Sequence, residues 1–286
     1  MNIFNNVRYS QYLVKLYYRP LFRKALLPFI KEPYEKRYIF VVGCYNSGTT
    51  LLNDILSCHE EISGLPSEGM ALTSELKRPE DFGWNRMWHI CRDRLEISRL
   101  AEKPDPEKLK KEWSFWFDRN KEFWMEKSII NSLNIDWFEE YFNHPYFIWI
   151  IRNGYAVAEG IRRRTRPEGK HHAQYTGGYP IRLCAKQWVE NNRVIEEKLK
   201  GAKNSTKLTY EDLTLNPDAA VRNILEWLPV KNKSITLPEV FTFHKDSARI
   251  SNMNQESINR LTAEEINIIN EEAEDVLKRC GYEVIS

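Results

Sequence analysis

Charge of one sign, paired cysteines and long apolar runs are all missing from this chain of 286 residues. Its 42 lysines and arginines nearly match its 40 aspartates and glutamates, for a formal net charge of +2. Such a balance gives no electrostatic reason to expect nucleic acid as the main ligand. The five cysteines, Cys44, Cys58, Cys91, Cys184 and Cys280, are odd in number and scattered, with no C-x-x-C pair. That argues against a disulfide framework and against a metal site, and it points to a reducing compartment, so a cytoplasmic location is expected. The aromatic, basic stretch from Val7 to Arg37 comes nearest to a membrane segment, but Lys15, Arg19, Arg23 and Lys24 break every apolar run short of spanning length. Neither a transmembrane helix nor a signal peptide is expected. Residues 1–36 read as a helical extension packed on the domain, with peripheral contact to an anionic membrane as the other reading. Internal repeats and low-complexity tracts are lacking too, and 42% hydrophobic with 29% charged residues is ordinary globular composition. One large domain, residues 37–286, is expected, long enough to bury a sizeable core.

What is present is an alternation of strand-like and helical segments. Tyr38 to Gly43 is a short apolar, β-branched run ended by glycine, and Thr49 to Cys58 follows with helical spacing. Apolar runs recur just before Glu126, at Tyr146 to Ile151 and at Thr206 to Tyr210, with helical stretches at Ser132 to Phe142, Tyr155 to Arg164 and Pro217 to Leu228. This order predicts an α/β fold with a P-loop-type central parallel sheet, helices on both faces and three layers. Ligands of such sheets bind beyond the carboxyl ends of the strands. Gly64 to Leu95, which holds Trp84 and Trp88, and Thr165 to Tyr179 have weak periodicity and read as loops that form a lid or an acceptor site.

Gly43 to Thr50, GCYNSGTT, has the glycine spacing of a P-loop, but Thr49 stands where the lysine belongs. Without that lysine, charge on β- and γ-phosphates goes uncompensated, which argues against kinase or ATPase chemistry. An anion cradle remains: the backbone amides of Ser47, Gly48, Thr49 and Thr50, two threonine hydroxyls and the positive end of a helix dipole. It suits a smaller anion than a triphosphate, such as a 5'-phosphate carrying a sulfuryl group.

The string SGTTLL after a hydrophobic strand resembles the 5'-phosphosulfate loop of sulfotransferases, nearest to their tyrosylprotein and bacterial branch. The resemblance implies a cofactor, 3'-phosphoadenylyl sulfate (PAPS), whose product is adenosine 3',5'-bisphosphate (PAP). It runs from about Tyr38 to about Gly281 with its motifs in order. In the family, an arginine ending a strand, a serine eight residues later and, in the tyrosylprotein branch, an arginine twelve residues later bind the 3'-phosphate. Arg152 and Arg164 fall on the arginine positions, while Gly160 replaces the serine. Positions 160 and 164 lie one helical turn apart on one face, and the helix itself is expected to accept a restored serine. Glu126 and Lys127 resemble the family's Glu-Lys strand end, whose lysine contacts the sulfuryl group or the bridging oxygen. Tyr210, in LTYEDL, matches the tyrosine that packs on the adenine, and Trp188 on the preceding helix reads as core. Ile250, Asn254 and Glu256 resemble the late loop that closes over the cofactor.

Sulfuryl transfer requires positioning of two reactants, charge compensation at the leaving phosphate and removal of a proton. The resemblance makes Lys127 the cation and Glu68, in SGLPSEGM, the base, although the glutamate's offset from the phosphate loop differs by one residue from the family's. His59 and His172 are lesser candidates for the base. Asn46 stands where most sulfotransferases place a lysine or arginine on the sulfuryl group. Lys127 and the helix dipole then suffice, or another cation enters from the irregular segments, or the protein binds nucleotide without efficient catalysis. The reading is a sulfotransferase acting on a hydroxyl or amine acceptor (carbohydrate, peptide or small molecule) that the sequence does not identify. A P-loop phosphotransferase and a catalytically weak nucleotide-binding protein are the alternatives.

Overall fold

The computed structural model describes residues 14–17, 19–30, 35–167, 173–243 and 246–286. Strands β1 (Arg37–Gly43), β2 (Ile62–Gly64), β3 (Phe123–Glu126), β4 (Tyr146–Ile151) and β5 (Ser205–Thr209) form a parallel sheet in the order β2-β3-β1-β4-β5. The run YIFVVG is apolar on both faces, as a central strand covered on both sides must be. Side chains alternate across the pleat. Tyr38, Phe40 and Val42 enter one core, and Ile39 and Val41 enter the other.

The helices, in chain order, are α1 (Pro20–Leu26), α2 (Thr49–Ser57), α3 (Pro106–Ser114), α4 (Ile135–Tyr141), α5 (Gly154–Arg164), α6 (Ile181–Lys198), α7 (Tyr210–Leu215), α8 (Pro217–Trp227), α9 (Asn254–Ile258) and α10 (Ala263–Arg279). α5, α6 and α10 cover the Phe40 face, while α2 and α8 cover the Val41 face, which gives the three expected layers. Parallel strands bring all their carboxyl ends to one edge. The chain leaves β1 for β2 and β3 on one side, then crosses to β4 and β5 on the other, so the crevice lies where the strand order reverses.

Three local expectations differ from the structure. β2 lies in sequence with no strand signal, because ISG is short and is held by pairing with β3. The helix expected over Ser132 to Phe142 is broken at Asn134 into a 3-10 turn (Ile129–Leu133) and α4. Asn134 Oδ1 accepts from Ile97 N at 2.8 Å and its amide donates to the carbonyls of Leu95 and Ile130, a side chain competing with the helix for backbone groups. Gly64 to Leu95 is a chain of 3-10 turns rather than an open loop, pinned by the fully buried Trp88, whose Nε1 donates to Asn191 Oδ1 at 3.0 Å.

Tyr17 is buried against Phe115 and Trp116, and Arg23 pairs with Glu112 at 3.8 Å. Leu21 and Phe29 remain 83% exposed on the same segment. No helix among the described residues is long and apolar enough to cross a membrane.

Candidate active site

The turn after β1 is built on two left-handed residues, Asn46 (φ 60°) and Gly48 (φ 94°). Asparagine is among the few non-glycine residues that tolerate this region. At position 48 a Cβ would also stand 2.8 Å from the Tyr210 ring, so glycine is required there twice over. α2 begins at Thr49, and its first-turn amides have no partners within the helix. Ser47 and Thr49 are buried, and Thr50 is exposed at the mouth of the turn.

Arginines from three different segments converge on Asn46. Its carbonyl accepts from Arg152 Nη1 at 2.8 Å. Its Oδ1 accepts from Arg86 Nη1 and from Arg164 Nη1, each at 3.4 Å. Among the described residues none of these arginines is ion-paired, whereas Arg162 and Arg163, beside Arg164 on α5, are bound to Glu265 and Glu159. The three consecutive arginines are therefore not one solvated face. Around the same turn lie buried donors without partners among the described residues: Asn46 Nδ2 and Ser47 Oγ on the turn itself, and Arg152 Nη2 beside it. Unpaired cations and unmet donors around one turn form a site for an anion with several oxygens.

Arg152, at the end of β4, is 7% exposed, and burial pulls its guanidinium below the usual range. Its Nε donates to Asn254 Oδ1 at 2.7 Å, Asn254 Nδ2 donates to Glu211, and Tyr282 donates to the same carboxylate at 3.0 Å. Trp188 is core, as expected, and it braces the site by donating Nε1 to the Arg152 carbonyl at 3.0 Å. Of the late-loop residues, Asn254 enters this network, Ile250 packs against the core and Glu256 pairs with Arg260 on the surface. Tyr210 does not offer the free face expected for adenine. It is 6% exposed, and the Arg152 guanidinium lies 4.1 Å from its ring centre.

On the other side of β1, Glu126 is completely buried at the end of β3. It accepts from Gly69 N (2.6 Å), Ser128 N (2.7 Å), Ser128 Oγ (2.5 Å) and Asn131 Nδ2. Glu126 thus clamps the turn that carries Glu68, and a Cβ at position 69 would lie 2.7 Å from its Cγ. Glu68 is half-buried. Burial pushes its carboxyl up, Lys127 and Arg86 pull it down, and the charges of Glu126 and Glu80 push it further up, for a net rise. Lys127 is buried with no carboxylate within ion-pair distance among the described residues. His59 is not placed as a base: its Nδ1 accepts from Glu61 N and its Nε2 contacts the Asn232 carbonyl, both just after the far end of α2. His172 lies outside the described residues. The structure also brings in Arg86 and Glu80, which no motif marks, and Glu211, which lies in the LTYEDL segment but has no expected role there.

A parallel sheet with a turn of unmet donors at its central strand and cations at the ends of its neighbours is the arrangement of α/β proteins that take anionic ligands at the carboxyl ends of their strands. The sulfotransferase family profile matches residues 38–233, and the chain belongs to that family. It is a sulfotransferase whose donor is PAPS. No curated protein matches the chain by sequence. Among solved structures, the sulfotransferase domain from the curacin biosynthetic pathway superimposes with a TM-score of 0.50 at 16% identity, covering 87% of this chain and 99% of that one. Sulfotransferase STF9 from Mycobacterium avium gives 0.53 at 12% identity, covering 94% and 82%. At such identities the likeness is one of fold.

Proposed function

We propose that the cluster around Asn46 is the PAPS site, with the amides and hydroxyls of Ser47 to Thr50 around the 5'-phosphate, Arg152 and Arg164 on the 3'-phosphate, and Lys127 and Glu68 at the reacting end. The observation that carries this reading is the convergence of Arg86, Arg152 and Arg164, unpaired among the described residues, on a turn with two unmet donors of its own, Asn46 Nδ2 and Ser47 Oγ. Bound PAPS supplies a sulfur atom whose bond to the bridging phosphate oxygen breaks, the electron pair staying on that oxygen, as the acceptor oxygen or nitrogen bonds to sulfur. Lys127 compensates the charge that develops on the leaving phosphate. Glu68 takes the acceptor proton, and burial, which raises its pKa, makes its carboxylate a stronger base. Tyr210 serves here as the platform under Arg152, with the adenine at its edge.

The acceptor is a hydroxyl or amine compound that enters between the two irregular segments. They meet beside Arg86, where Arg166 N donates to Asn85 Oδ1 at 3.3 Å, and Trp84 packs near Tyr175 and Tyr179. The free state of all five cysteines supports a cytoplasmic location. The exposed Leu21 and Phe29, on a segment with Arg19 and Lys24, support peripheral membrane contact. The donor site is tested by thermal shift of the wild type with PAP, AMP and ATP. PAP is expected to raise the melting temperature most, and an equal shift by all three nucleotides would remove the 3'-phosphate from the proposal.

A further inference from the structure

We infer that Arg86 is a catalytic cation of this enzyme, contacting the sulfuryl group during transfer from a position outside the phosphate loop. The inference rests on the PAPS reading above and deepens it.

Arg86 comes from the irregular segment between β2 and β3, distant in sequence from the phosphate loop. Its guanidinium nevertheless reaches the Asn46 side chain at 3.4 Å and lies 5.8 Å from the centre of the Tyr45 ring. It also acts electrostatically on the Glu68 carboxyl. A cation that touches the donor cradle and also acts on the proposed base belongs to the reacting end of the site, where the sulfuryl group is transferred.

Two further observations separate this arginine from a surface one. Among the described residues it has no carboxylate within ion-pair distance, although Glu80 and Glu68 are near enough to share its field. Its backbone is left-handed, with φ at 58°, a conformation costly for a long side chain. Such strain persists where the surroundings hold the residue in place, and here the holding elements are on both sides. Met87 and Trp88, next in the chain, are fully buried, and Asn85 bonds Glu80 and the Arg166 amide. The site therefore obtains from position 86 the charge that neutral Asn46 lacks. Asn46 in turn serves as a neutral spacer that lets Arg86 and Arg164 approach one oxygen together. In the transfer, Arg86 donates hydrogen bonds to the non-bridging sulfuryl oxygens while the bond from sulfur to the phosphate oxygen breaks, the bond to the acceptor atom forms and the acceptor proton passes to Glu68.

PAP lacks the sulfuryl group and PAPS carries it, so the test is a comparison of the two. Calorimetric titrations of wild type, Arg86→Gly and Arg86→Gln are made with PAP and with PAPS, in the absence of acceptor. Glycine suits a φ of 58° and should hold the fold, while glutamine keeps the stem and removes the charge. Loss of a charge-assisted contact should weaken PAPS by about tenfold to a hundredfold in both variants, with PAP affinity kept within about threefold. Equal weakening of PAP and PAPS, or unchanged PAPS binding, would overturn the role of Arg86 and leave the donor site standing. A wild type that binds neither nucleotide would remove the donor site, and Arg86 with it.

Discussion

A Cβ at position 160 would stand 3.2 Å from Asn46 Nδ2 and 3.3 Å from Asn46 Cβ and Cγ. Gly160 and Asn46, the two departures from the family pattern, are therefore one packing unit: the glycine on α5 leaves the space that the asparagine fills. A serine at 160, acceptable to the helix taken alone, meets Asn46 instead. Gly160→Ser is expected to lower stability by about 1 kcal/mol in the wild-type background through overpacking. In an Asn46→Gly background the same change should raise stability by a few tenths of a kcal/mol, because serine is the better helix former. Denaturant midpoints of the two pairs measure the sign, and a shift of the same sign in both backgrounds would refute the coupling.

Arg152 reaches the site buried, with Nη2 unmet, and is assigned to the 3'-phosphate, which AMP lacks. Arg152→Ala should weaken PAP binding by roughly tenfold to a hundredfold and leave AMP binding nearly unchanged. Calorimetry with both nucleotides decides the point. Equal losses would make the arginine a structural support for Asn46 and Asn254.

Glu68→Gln should lower PAP release from PAPS by about a hundredfold or more, with little change in PAP affinity. The net pKa rise at Glu68 sets two further signs. A base must be deprotonated, so the acidic limb of the rate profile is expected above the ordinary carboxylate range. A carboxyl whose folded pKa is raised binds its proton more tightly when folded, so its contribution to stability declines as pH rises through that pKa. Glu68→Gln should thus raise the melting temperature at pH 7 while abolishing the acidic limb. A variant that is slower and also less stable would place Glu68 among the structural residues.

Glu126 is expected to act through position, since it holds the Glu68 turn and touches no reactant. Glu126→Ala leaves Gly69 N, Ser128 N and Ser128 Oγ without an acceptor and should cost more than about 3 kcal/mol. Glu126→Gln should cost about 1 kcal/mol, because Asn131 Oδ1, buried without a partner among the described residues, can accept from the new amide. Chemical denaturation of both variants, with PAP release measured on the glutamine variant, checks the order.

The sequence by itself determined the parts of this protein that depend on contiguous residues. The apolar runs became β1, β3, β4 and β5, and the glycine spacing became the turn between β1 and α2. Parallel strands then carried Lys127, Arg152 and Tyr210 to one edge, so motifs read at strand ends were brought together by topology alone. Tertiary structure decided what depends on approach between segments. It bent Ser132 to Phe142 at Asn134, because that side chain's partners lie at Leu95 and Ile97. It placed Arg152 over Tyr210, separated Arg164 from its ion-paired neighbours, and packed Gly160 on Asn46. Arg86 is the plainest case. No periodicity or motif marks it, and its reach to Asn46 is set by 3-10 turns whose course follows from the buried Trp88 and Met87. Local sequence specifies backbone conformation through sterics and hydrogen bonding over a few residues, whereas a charge is placed by everything that packs around the segment that bears it.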